Sequence, residues 1–150
     1  MPKSKKNDEG FIHLGFLSRQ ISLMLYDELS EIYADFGLDS RCAGILFMGL
    51  EDSFSQTHIA NLARTDKNTI GAMIDLLQEK GLLERKQNPN NRKENLIVLT
   101  KSGQQIALSL QKKIAKKQKE ILAFMTDERY SAFCKDLLEV YSVLKIKQTH

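Results

Sequence analysis

Apolar positions along this chain change period twice, and those changes divide it into helices and one hairpin. From Phe11 to Phe36, Leu14, Leu17, Ile21, Met24, Leu25, Leu29, Ile32 and Phe36 recur at steps of three or four. That spacing predicts a helix of about seven turns with a wide apolar stripe. Gly37 ends it, and Asp39 or Ser40 caps a second helix through Arg41–Leu50. Glu51-Asp52-Ser53-Phe54 reads as a polar connection. Ser55 then caps a short helix whose Ile59, Leu62 and Ala63 face inward. The polar Arg64-Thr65-Asp66 turns the chain, and Asp66 or Lys67 opens another helix that buries Ile70, Met73, Ile74 and Leu77 and stops at Gly81.

After Gly81 the period falls to two. Leu82–Gln87 and Asn95–Leu99 read as strands on either side of Asn88-Pro89-Asn90-Asn91. Residues 80–95 carry Lys80, Arg85, Lys86, Arg92 and Lys93 against Glu84 and Glu94, so the hairpin is basic. A hairpin this short is marginal alone and must lean on the helices beside it. Two tightly joined helices followed by a basic hairpin make a winged helix, and such a pair can lay its second helix in a major groove. Thr100 caps a further helix reaching about Met125 through Ile106, Leu110, Ile114, Ile121 and Leu122, and Asp127 caps a last one through Tyr130, Phe133, Leu137, Leu138, Tyr141 and Leu144. The expected fold is mainly α with a small β-hairpin: a winged helix-turn-helix flanked by long helices.

The long terminal helices cannot all hide their stripes inside one small winged helix, and burial contributes roughly 25 cal/mol per Å². That surplus of apolar surface argues for a dimer. With 150 residues and 42% hydrophobic content, one domain is expected over 1–150, with a polar tail at 1–9, dimerisation helices at 10–37 and 101–148, and the winged helix-turn-helix at 38–100. No apolar run approaches the roughly 18 residues that would span a bilayer, and Met1–Glu9 lacks a hydrophobic signal core. The expected setting is cytoplasmic, with no membrane partner. Cys42 and Cys134 fall on apolar sides of helices and read as small buried side chains rather than a bridge.

The order of motifs resembles the MarR family of bacterial transcription regulators. The resemblance is carried by Asp66-Lys67-Asn68-Thr69-Ile70, Leu77-Gln78-Glu79-Lys80-Gly81-Leu82-Leu83-Glu84-Arg85, and Asn88-Pro89-Asn90-Asn91-Arg92-Lys93 leading to Leu99-Thr100-Lys101-Ser102-Gly103. It covers residues 38–108 by motif and the flanking helices by layout. It implies an obligate homodimer whose first and last helices pair between subunits and hold two winged helices over a pseudo-palindromic operator in double-stranded DNA. It further implies a repressor released when a small aromatic effector enters a cleft between the dimerisation helices and the winged helix. Phe11, Phe16, Arg19, Tyr26, Tyr33, Phe36, Phe47 and Met48 could line such a cleft, with Phe16, Arg19, Tyr26, Tyr33 and Phe47 foremost. The oxidation-sensing branch uses a cysteine early in the first helix, and none occurs from Phe11 to Phe36.

On the recognition helix the DNA-facing residues are Lys67, Asn68, Thr69, Gly71, Ala72 and Asp75. Asn68 can pair bidentately with adenine, Thr69 can reach a base edge or phosphate, and Ala72 can touch a thymine methyl. Where this chain has Gly71 the family usually has threonine or serine, and where it has Ala72 a basic residue. Glycine inside a helix costs about 1 kcal/mol relative to alanine, which suggests that the backbone comes close to something. Over residues 55–80 three basic residues balance three acidic ones. The wing supplies Arg85, Lys86, Asn91, Arg92 and Lys93. The family's wing pairs an aspartate with an arginine two residues on, and Asn91 and Lys93 stand at those positions. Asn91 cannot make that ion pair, and an ammonium suits a narrow groove less well than a guanidinium, so Arg92 is expected in the groove and Lys93 on phosphate.

Lys112, Lys113, Lys116, Lys117 and Lys119 read as a solvated face rather than a DNA contact. His13, His58 and His150 are scattered, and no spacing forms a metal cluster, a nucleophile with its base, a phosphate loop or a carboxylate pair. No catalytic residue, metal or cofactor is therefore expected. An alternative reading keeps the fold but has the hairpin and helix bind another protein without operator specificity; the neutral recognition helix and the missing family arginines favour it.

Overall fold

The computed structural model describes residues 13–148. The order is α1 (Leu14–Asp35), α2 (Ser40–Glu51), β1 (Phe54–Ser55), α3 (Gln56–Ala63), α4 (Lys67–Glu79), β2 (Leu83–Asn88), β3 (Asn91–Leu99), α5 (Lys101–Ile121) and α6 (Asp127–Gln148). The chain forms two compact units, one up to Gln111 and one from Lys112 onward. Phe11, the polar tail and His150 lie outside the described residues.

In the first unit each helix start is marked by a side chain that accepts an otherwise unpaired N–H. His13 Nδ1 accepts from Phe16, Asp39 from Cys42, Ser55 from His58 and Asp66 from Thr69. Helix ends are closed by left-handed residues. Gly37 (φ 65°) follows α1 and Gly81 (φ 71°) follows α4. At the latter, the Leu82 N–H bonds the Leu77 carbonyl at 3.0 Å and the Gly81 N–H bonds Gln78 at 2.9 Å. Arg64 closes α3 in the same way at φ 49°, a conformation that costs a non-glycine residue about 1–2 kcal/mol.

The core is apolar. Leu46 of α2, Ile74 and Leu77 of α4, Leu83 of β2 and Leu110 of α5 are its largest fully buried side chains, and no polar or charged residue is buried among those described. Ile70, Met73, Ile74 and Leu77 face inward as their spacing predicts. On α3 the inward pair is Ile59 and Ala60. Leu62 and Ala63, expected inside, are exposed. A two-turn helix offers only a few residues to its neighbour, and here the outer two face a cleft instead.

The three strands form an antiparallel sheet in the order β1-β3-β2. Three expectations need correction here. Phe54 does not belong to a plain connection: it pairs with Ile97, and Ser55 pairs with Leu96. Two residues cannot show a period of two, so this strand had no sequence signature. The wing turn is tighter than expected, since β2 runs on to Asn88 and β3 starts at Asn91, leaving Pro89 and Asn90 between. Leu82 is not in the strand, because its N–H closes α4.

A four-way junction ties the winged helix to α5. The Thr100 N–H donates to the Leu82 carbonyl at 3.1 Å. The Thr100 hydroxyl donates to the Gly81 carbonyl at 2.6 Å and accepts from the Gly103 N–H at 3.0 Å. A Cβ on Gly103 would lie 1.8 Å from the Leu82 carbonyl oxygen, so the first turn of α5 sits directly on the chain leaving α4.

In the second unit α5 stops at Ile121 rather than near Met125. Bonds from Ala123 to Glu120 and from Met125 to Leu122 tighten the chain to three-residue turns. Thr126, not Asp127, caps α6 by accepting the Arg129 N–H at 3.3 Å, and Asp127 and Glu128 then fill the first turn, where the helix dipole favours negative charge. No residue of α6 is buried; Phe133, Leu137, Leu138, Val140, Tyr141, Val143, Leu144 and Ile146 are large apolar groups left in solvent. In the first unit α1 likewise exposes Leu14, Phe16, Leu17, Ile21, Leu23, Met24 and Tyr26 and buries only Leu29 and Tyr33.

Gly103→Ala should lower stability by roughly 1–3 kcal/mol, because the new methyl meets backbone that cannot step aside. Gly44→Ala, in a helix interior with nothing within 4 Å of the added atom, should instead raise it by up to about 1 kcal/mol. Thermal unfolding of the two variants beside wild type measures both.

Candidate nucleic-acid interface

α4 begins at the residue pair Asp66 and Thr69. One carboxylate oxygen of Asp66 accepts the Thr69 N–H at 2.8 Å, and the other accepts the Thr69 hydroxyl. These bonds from Thr69 hold the Asp66 carboxyl below its ordinary value near 3.8. Thr69 is half-buried, and its hydroxyl proton is committed to the cap. Lys67, Asn68, Ala72 and Asp75 are exposed along the same helix.

Gly71 is half-buried and faces α3. A Cβ there would come within 2.8 Å of the Gln56 amide nitrogen, which itself donates to the Lys67 carbonyl at 2.9 Å. The close approach at Gly71 is thus to a side chain of the same chain, one that clasps the start of α4 to the start of α3. Sequence reasoning passed over Gln56, since a polar residue just inside a helix has no distinctive spacing.

The wing residues are shaped by amide side chains. Asn88 accepts the Asn90 N–H at 2.9 Å and Asn91 accepts the Lys93 N–H at 3.1 Å. Asn88 pairs with Asn91 but Gln87 pairs with Asn95, so residues 92–94 bulge from the ladder and carry Arg92 and Lys93 outward, both exposed. Asn91, lacking the charge for an ion pair, still organises the wing through its carbonyl oxygen. Lys86 is bound to Glu84 at 3.0 Å in an exposed pair, which contributes little stability.

Arg85 reaches from β2 to α4. Its guanidinium donates to Asp75 and to Gln78, each at 2.5 Å. Lys67, Arg85, Asn91 and Lys93 also line one polar cavity of about 330 Å³, together with Gln56, Thr57, Glu94 and Asn95. Lys67 of the recognition helix thus meets Arg85, Asn91 and Lys93 of the wing at one cleft, whereas Asn68, Thr69, Gly71, Ala72, Asp75, Lys86 and Arg92 do not line it.

A second cleft, of about 410 Å³, opens between α1, α2 and the helix-turn-helix. Ile45, Met48, Leu62 and Met73 give it apolar walls, and Tyr26, Arg41 and Thr65 add polar groups. A smaller cavity of about 190 Å³ is lined by Tyr26, Ser30, Tyr33 and Asp39. Of the residues expected at an effector site, Tyr26 lines both, Tyr33 the smaller and Met48 the larger; Phe16, Arg19 and Phe47 line neither. Arg41 was not anticipated because its neighbour Asp39, 3.3 Å away, makes it read as part of a cap. Burial would raise the Asp39 carboxyl, but the Cys42 hydrogen bonds and the Arg41 charge outweigh it and leave it lowered. Cys42 itself is buried, and burial, helped by Asp39, pushes its thiol up to about 11, so it stays protonated and unreactive at neutral pH. Cys134 is only half-buried, and both cysteines are free.

Among the described residues no helix is long and apolar enough to cross a membrane, and no group of three or more histidine, cysteine or acidic residues could hold a metal ion.

The model of the MarR family matches residues 51–94, the span from the end of α2 through the wing bulge. An HTH-type transcriptional regulator of Bacillus subtilis (strain 168), YwoH, is 28% identical over 122 residues, covering 81% of this chain and 88% of the relative. Among solved structures, a MarR-family transcriptional regulator from Rhodococcus sp. RHA1 superposes with a TM-score of 0.76 at 21% identity, over 85% of this chain and 91% of that one. CouR from Rhodococcus jostii RHA1, solved bound to p-coumaroyl-CoA, superposes with a TM-score of 0.71 at 21% identity, over the same shares. The chain is a DNA-binding transcriptional regulator by class, with a winged helix-turn-helix as its reading head. Its likeness to the MarR family is carried in sequence by residues 51–94 and in fold by most of the chain.

The lowered Asp66 carboxyl makes part of the stability depend on pH. A group whose folded value lies below its unfolded one stabilises above the unfolded value, near pH 4, and that contribution is lost as pH falls through the folded value. Asp66→Asn keeps a cap but removes the titration, so its stability should fall less steeply than wild type below about pH 4, as followed by thermal unfolding across acid buffers.

Proposed function

We propose that two copies of this chain bind a pseudo-palindromic operator in double-stranded DNA as a repressor, and that a small aromatic effector releases it. The observation that carries the reading is the shared polar cleft, where the start of α4 and the wing bring Lys67, Arg85, Asn91 and Lys93 together beside the exposed Asn68 and Ala72. Phosphate contacts by the lysines and Arg92 position the head, and base-edge contacts by Asn68 and Ala72 specify. Repression and homodimerisation are typical of the family.

The exposed apolar faces of α1 and α6 support the dimer. Monomers rarely leave contiguous apolar patches beyond a few hundred Å² in water, and a second copy is the partner that a two-half-site operator requires. The cleft of about 410 Å³ supports the effector: it falls within the range of small-molecule sites and has apolar walls with a few convergent polar groups. Tyr26 and Arg41 would orient a carboxylate or phenol there. That CouR is solved with an aromatic thioester supports the chemical class.

Genomic fragments retained by the purified protein supply the operator for the test. Binding to a retained fragment should exceed binding to random duplex and weaken steeply with salt. Arg92→Ala with Lys93→Ala should weaken binding to all sequences and reduce the salt slope by about 0.9 for each phosphate no longer neutralised. Asn68→Ala should instead narrow the preference for the retained fragment, by roughly 1–3 kcal/mol for a bidentate base contact. A protein that sediments as a monomer and ignores duplex at low salt would end this reading, leaving the wing for a protein partner.

A further inference from the structure

We infer that Asp75 is a specificity-determining residue that withholds Arg85 from the DNA backbone. The inference rests on the DNA-binding reading above. Asp75 and Gln78 lie three residues apart on α4, so one helix face offers two oxygens to a single planar guanidinium. Arg85, on β2 opposite Ile97, fills that position with Nη2 at 2.5 Å from Asp75 Oδ1 and Nη1 at 2.5 Å from Gln78 Oε1. The cation is the covered partner and the acid the outward one, with side chains 26% and 70% exposed.

Two consequences follow for a duplex laid against α4. Asp75 would repel phosphates if it were bare, and the pair neutralises it. Arg85 would bind phosphate in the same bidentate manner if it were free, and the pair occupies it. Affinity for any sequence depends on how many cations meet phosphate, whereas discrimination depends on how firmly α4 presents its base-reading side chains. The Asp75–Arg85–Gln78 fork trades one phosphate contact per subunit for a fixed angle between recognition helix and wing. Arg92 and Lys93, both exposed on the bulge, are not part of that fork.

The test compares full-length wild type with Asp75→Ala, Arg85→Gln, the double variant and Glu79→Ala, by anisotropy on a retained genomic fragment and on random duplex of equal length. Asp75→Ala should bind random duplex more tightly and steepen the salt slope by about 0.9 per subunit, roughly a threefold greater loss per subunit for a fourfold rise in salt. The preference for the retained fragment should shrink. Arg85→Gln placed on Asp75→Ala should cancel the gain, and Glu79→Ala, which removes a like charge from the same helix, should give less of it. A gain that survives Arg85→Gln would mean that plain repulsion by Asp75 is at work and would overturn the inference. So would an Asp75→Ala protein with unchanged random binding and slope. A wild type that binds no duplex overturns this inference and the DNA reading together, whereas a wild type that binds normally beside an unresponsive Asp75→Ala overturns this one alone.

Discussion

The junction of Gly81, Leu82, Thr100 and Gly103 sets the geometry on which the reading head depends. Four chain segments meet there: the end of α4, the start of β2, the end of β3 and the first turn of α5. The Thr100 N–H and hydroxyl together donate two bonds and accept one, joining a helix cap to a helix end. Gly103 lets backbone rest on backbone, with the Leu82 carbonyl where a side chain would begin. Because both strands of the wing are pinned at this end, the free end at Pro89-Asn90 can only project, and a two-strand wing that would be marginal alone gains a rigid base.

From that base the head is held by polar contacts that span elements. Gln56 clasps α3 to the start of α4 across Gly71, and Arg85 clasps α4 to the wing. Both contacts lie on the exposed side, while Ile59, Ile70, Ile74 and Leu77 fill the interior. Burial supplies the stability without directional preference. The hydrogen-bonded clasps supply direction, and so decide where Asn68, Ala72 and Lys93 sit relative to one another.

Charge is distributed in keeping with that division. Residues 55–80 carry as much acid as base, yet two of the three acids are engaged: Asp66 in the cap with Thr69, and Asp75 with Arg85. Arg92 and Lys93 are set outward by the bulge at residues 92–94, beside which Asn88 and Asn91 accept their neighbours' N–H groups. An amide thus organises the wing by accepting backbone N–H groups rather than by pairing with an arginine.

Much of this was legible in one dimension. Repeating apolar steps marked α1, α2 and α4 and the buried face of α4, because burial acts on every turn and leaves a period. Asp39, Ser55, Asp66 and the left-handed Gly37 and Gly81 marked helix ends, because caps and positive φ demand particular residues locally. Long-range geometry left no such trace. β1 is two residues long, Leu62 turns to a cleft rather than the core, Gln56 meets Gly71 across a turn, and Arg85 finds Asp75 ten residues away. Residue order by itself determined the six helices, the hairpin, the inward face of α4 and the winged-helix class, since these follow from local propensity and periodic burial. Tertiary structure alone decided which polar side chains join and which remain open to a ligand, since a hydrogen bond depends on ångström distances between segments that the spacing of residues along a chain does not encode.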